Sequence, residues 1–162
     1  MPQTTARFGS TAVLLFTLLA LRPALAADPV AKTDGETAGL RIEVVDLKRG
    51  SGDTLTLRFN LINDSGESFK PSGWYFGDYK GHQNQDIGNV GAITLIDTVG
   101  KKKYFVVRDT DENCVCSNEL PSVAAKSRAA LWAKFPAPPG DVKKIGVVIP
   151  HFIPMDDVPI SL

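Results

Sequence analysis

Thr54–Asn63 reads TLTLRFNLIN, and its alternation decides the fold class. Leu55, Leu57, Phe59 and Leu61 fall on one face, and Thr56, Arg58, Asn60 and Ile62 on the other. A period of two means a strand with one face on a core and one toward water. Leu40–Leu47 precedes it with Leu40, Ile42 and Val44 in the same rhythm, and Arg49-Gly50-Ser51-Gly52-Asp53 supplies the turn between the two. Asp64-Ser65-Gly66-Glu67 then leads into a third expected strand, Phe69–Phe76.

The same pattern continues to the C-terminus. Ala92–Asp97 and Lys103–Arg108 flank Thr98-Val99-Gly100-Lys101 as a hairpin. Ala129–Phe135 and Lys144–Ile149 are two further strands, separated by Pro136, Pro138, Pro139 and Gly140, which exclude helix. Pro150, Pro154 and Pro159 keep the tail extended. Seven strands are expected, with an eighth at the end. No run of about 12 residues has helical spacing. Leu57, Phe59, Trp74 and Trp132 are the expected large core residues.

Seven short strands with Trp74 on the third make an immunoglobulin-like β-sandwich the expected fold for residues 39–162. The chain here resembles a group of bacterial exported immunoglobulin-like domains of unknown function. Some of these stand alone, and others precede an outer-membrane-protein-A-like domain in secreted proteins. Three stretches carry the resemblance: DTLTLRFNLINDSGESF (Asp53–Phe69), ITLIDTVGKKKYFVVRDTDENCVCS (Ile93–Ser117), and FPAPPGDVKKIGVVIP (Phe135–Pro150) with the PMDDVPIS tail. These motifs are structural rather than catalytic.

The N-terminus assigns a compartment. Arg7 precedes the charge-free apolar run TAVLLFTLLAL (Thr11–Leu21), and Ala24-Leu25-Ala26 places small residues where a signal peptidase cuts. Residues 1–26 thus read as a cleaved secretory signal. The run is too short to be a membrane anchor, which takes about 20 residues, and no later apolar segment spans a bilayer. The product is expected to be secreted or periplasmic. Residues 27–38 (ADPVAKTDGETA) are small and polar and read as a flexible lead-in. Losing Arg7 and Arg22 with the signal turns the formal net charge from 0 to −2, which disfavours nucleic acid as a partner.

Cys114-Val115-Cys116 is the sharpest local feature. In an exported chain such a pair is expected to be a disulfide, and the spacing requires a bent loop. A redox role and a soft-metal role compete with that reading. The redox role lacks the helix start that such thiols use, and no Met or His is spaced as a co-ligand. Asp109-Thr110-Asp111-Glu112-Asn113 echoes the opening of a calcium loop, but Cys114 and Leu120 stand where that motif needs Gly and Glu. No metal, cofactor or catalytic residue is expected. His82 and His151 are the only histidines, and no serine lies in a nucleophile elbow.

Residues 72–79 (SGWYFGDY) concentrate the aromatics, with Tyr75 and Tyr79 placed as outward contacts and the polar loop Lys80–Gly91, including His82, beside them. The expected function is a non-enzymatic binding or structural module contacting an envelope protein or a glycan, through end loops or an exposed sheet edge. A redox-active or metal-handling protein using Cys114 and Cys116 is the alternative.

Overall fold

The computed structural model describes residue 1 and residues 28–71, 73–77 and 88–162, with the backbone alone of 73 and 74. The signal at 1–26, apart from its first residue, lies outside the described residues, as do Tyr79, His82 and the Trp74 side chain.

Among the described residues the elements are β1 (Ala31–Asp34), β2 (Leu40–Gly50), β3 (Thr54–Asn63), α1 (Gly73–Phe76), β4 (Thr94–Asp97), β5 (Lys102–Phe105), β6 (Ser127–Pro136), β7 (Lys144–Val148) and β8 (Met155–Pro159). They form two antiparallel four-stranded sheets, ordered β1-β2-β3-β6 and β5-β4-β7-β8, so the protein is an all-β sandwich. The phase of β3 is as its alternation demands as far as Leu61, but Ile62, expected on the water-facing side, is buried with Asn63 at the strand's end, where the Asn63 side-chain amide donates to the Val123 and Ala124 carbonyls. Leu55, Leu57 and Leu61 are fully buried and Phe59 nearly so, facing Leu95, Ile145 and Val147 of the other sheet within one core. Arg58 points outward and pairs with Asp46 at 3.1 Å.

Three further expectations are corrected. Ala31–Asp34, assigned to a flexible lead-in, is an edge strand whose residues pair with Val44 to Arg41 of β2. Its polar composition matches its position: burial alternates only between half and none, as an edge strand over a sheet margin requires. The expected third strand Phe69–Phe76 is instead one bridge, Phe69 to Val123, followed by the single turn α1. Pro71 cannot donate to a ladder, and the chain leaves the sheet there. Trp132 is 39% exposed, because Leu131, Ala133 and Phe135 take the inward positions of β6 and a one-residue offset turns the indole out. It sits opposite Arg58 in the β3–β6 ladder.

Backbone hydrogen bonds outside the ladders cover parts of both margins of the first sheet. Along β2, β1 covers the first half, and after the irregularity at Val44/Asp46 the C-terminal tail covers the second. There the Arg49 amide donates to the Ser161 carbonyl and the Ser161 amide to the Leu47 carbonyl, each at 2.9 Å. β1 is in turn tied to the second sheet, where the Ile153 amide donates to the Asp34 carbonyl. On the opposite margin the Ser117 amide donates to Trp132, the Lys134 amide to Val115, and the Val107 amide to Lys134. The covered stretches of edge offer fewer unpaired backbone groups to an incoming strand.

Candidate functional site

Aromatic and polar side chains gather at the end of the sandwich where β2 begins and β7 ends. α1 is too short to hold itself, and Phe76 fixes it by being fully buried in the core. The Ala92 amide donates to the Phe76 carbonyl at 3.0 Å, closing the base of the segment that includes residues 78–87. On the return side the Leu120 amide reaches the Gly88 carbonyl and the Val90 amide the Ser117 carbonyl. Recognition loops need such a fixed base on a rigid scaffold.

Tyr75, packed against Phe76, is not an open platform. Its ring stacks on His151 at 4.5 Å and meets Phe69, Phe76 and Phe152 edge-on at 5.0, 4.7 and 6.5 Å. Its hydroxyl lies 3.4 Å from Thr37 Oγ1. The side chain assigned to an outward contact is therefore half-buried and anchors the corner.

His151 takes the outward place. Its backbone is left-handed, with φ 66°, a region histidine enters more readily than most residues. That turn aims the ring at Glu36, whose Oε2 lies 3.0 Å from Nδ1, while Tyr75 covers one ring face. Holding one ring nitrogen fixes the orientation of the other, which suits a hydrogen bond to a ligand. Sequence reading passed over His151 and Glu36 because 115 positions separate them. The polar tract preceding Gly39 and the Pro150-His151 turn were the available signals.

Cys114 and Cys116 are joined as a disulfide with Cα atoms 5.3 Å apart, within the usual range. The bend falls at Val115, whose amide donates to Val107 while its carbonyl accepts from Lys134. Next to it, Asp109 Oδ1 accepts the amides of Asp111 at 2.9 Å and Asn113 at 2.8 Å. The carboxylate that opens the calcium-like string thus caps its own turn. Among the described residues, no group of three or more His, Cys, Asp or Glu is arranged to hold a metal ion. Nor is any helix there long and apolar enough to cross a membrane.

At the opposite end, an open cleft of about 560 Å³ is lined by Asp156, Asp157 and Lys144 among others. Asp97, also on its wall, is buried and accepts the Gly100 amide. Near it the Tyr104 hydroxyl is buried without a hydrogen-bond partner among the described residues. Desolvation, and then the charge of Asp97, raise the Tyr104 pKa above its ordinary value. No family model, curated protein or solved structure matches the chain.

Proposed function

We propose that this chain is an exported, non-enzymatic binding module of the cell envelope, and that it engages an envelope protein or glycan through the loop end around residues 78–87. The reading is supported by the Ala92–Phe76 hydrogen bond, which brings Phe76 and Ala92 together on the scaffold at the two ends of the polar stretch between them, and by the bonds that cover parts of the first sheet's margins. Backbone pairing along an edge is the other route open to a sandwich, and the covered stretches of the first sheet have little to offer it. The His151–Glu36 pair supplies an oriented polar group at the foot of the loop.

The immunoglobulin-like reading belongs to the same proposal. In that fold the second and fifth strands pair across one sheet, and the third and sixth across the other. Letting β2, β3, β4, β6, β7 and β8 stand for strands A, B, C, E, F and G reproduces the B–E, C–F and F–G pairings as β3–β6, β4–β7 and β7–β8. β5 then lies beside strand C. Export rests on the N-terminal pattern at 1–26, and the secreted or periplasmic placement follows from it.

A photo-crosslinking residue placed at position 82, and separately at 132, tests the reading in intact cells. Adducts from 82 and none from 132 support it. Adducts from 132 alone contradict it.

A further inference from the structure

We infer that the Cys114–Cys116 disulfide is a thiol–disulfide exchange site, entered through Cys114 by a partner that carries a dithiol. This is independent of the loop-end proposal and fails or stands separately from it. The two sulfurs have unequal surroundings. Cys116 is 5% exposed and bridges Ala133 on the core face of β6, whereas Cys114 is half-buried at the foot of the exposed Asp109–Glu112 turn. An incoming thiolate therefore meets Cys114 first.

The Arg108 guanidinium lies on the same side, with its Nη1 donating to the Glu112 carbonyl. The point where a Cβ on Gly91 would sit is 3.4 Å from the Cys114 Cβ and 3.7 Å from Arg108 Nη2. A guanidinium there attracts the anionic form of the attacking group, which is the reactive one. The acids Asp109, Asp111 and Glu112 occupy the turn beyond it, with the Asp109 carboxylate engaged by its own loop amides.

The scaffold also holds the pair without help from the bond. Val115 is fixed to Val107 and Lys134, and Ser117 to Trp132, by backbone hydrogen bonds that reduction leaves in place. The thiols released stay preorganised for closure. The partner thiolate attacks Cys114 Sγ and the S–S bond breaks. Its electron pair goes to Cys116 Sγ, which takes a proton. The partner's second thiolate then displaces Cys114 Sγ, so this protein gains two thiols while the partner dithiol becomes a disulfide. The reverse sequence reoxidises the pair.

The test treats the folded protein with dithiothreitol and counts thiols by alkylation and intact mass, with circular dichroism recorded in parallel. Two labelled thiols at unchanged native signal are expected, and a disulfide that yields only once the protein unfolds overturns the inference. Single variants locate the entry point. Cys116→Ser should form a mixed disulfide with oxidised glutathione about tenfold faster than Cys114→Ser, following accessibility. Equal rates, or the opposite order, overturn entry through Cys114.

Discussion

Glu36 and His151 are joined twice: the Glu36 amide donates to the His151 carbonyl at 2.8 Å, and His151 Nδ1 lies 3.0 Å from Glu36 Oε2. One residue follows β1 in the first sheet and the other lies between β7 and β8 in the second. The pair therefore fastens the two sheets at the end where Tyr75 and Phe76 lie. Tyr75 stacks beneath it, so the corner is at once a structural joint and the foot of the proposed contact surface.

The ring of Tyr75, not its hydroxyl, should carry the stability of this corner. Tyr75→Ala removes four aromatic contacts and should cost about 2–3 kcal/mol, the lower part of the range for large-to-small aromatic truncation because the side chain is only half-buried. Tyr75→Phe gives up only a long contact to Thr37 and should stay within about 0.5 kcal/mol. Urea unfolding of the two variants measures both. An equal loss in each would place the stabilisation in the hydroxyl.

The phase of β3 makes a sharper contrast between neighbours. Leu57→Ala or Phe59→Ala should cost about 2–5 kcal/mol, since each leaves a cavity in a packed core. Arg58→Ala, whose partner Asp46 is reached on the outer face, should change stability by no more than about 0.5 kcal/mol. Similar losses at Phe59 and Arg58 in thermal or urea denaturation are incompatible with this register.

These neighbours also show how much was legible in the sequence. Alternation in Thr54–Leu61 sets which residues are buried, because the pleat has a period of two wherever the strand lies, whereas the burial of Ile62 depends on what covers the strand's end. The same rule applied to Ser127–Pro136 turns Trp132 outward. Weighting the indole by its size rather than by its phase put it in the core. β1 escaped notice because an edge strand is specified by its partner β2 and not by its own apolar content. The Glu36–His151 pair was illegible for a related reason: two lone polar residues far apart in the chain meet only once the sheets are stacked. Cys114 and Cys116, adjacent in sequence, needed no such knowledge.

Tyr104 should govern part of the alkaline behaviour. Its pKa is raised in the folded protein by burial and by Asp97, so the native state keeps the phenolic proton more tightly than the unfolded chain. The stability this contributes is complete below the unfolded value of about 10 and is lost as pH rises through the folded value. Tyr104→Phe should flatten that alkaline decline. At neutral pH it should leave stability unchanged or raise it by up to about 1 kcal/mol, because the hydroxyl removed is buried and has no hydrogen-bond partner among the described residues. Melting curves across the alkaline range, variant against parent, give the answer. A parallel decline in the two proteins would remove Tyr104 from the account.

The most direct measurement of the central claim is capture from native envelope extract by matched baits: the unaltered protein, a variant with residues 78–87 replaced by a short Gly-Ser link, and Trp132→Ala on the outer face. Because Phe76 and Ala92 close the base of the loop, the shortened bait should melt as the parent does. The account predicts one partner recovered by the parent and by Trp132→Ala, and lost with the shortened loop. Undiminished recovery by the folded, loop-shortened bait contradicts it.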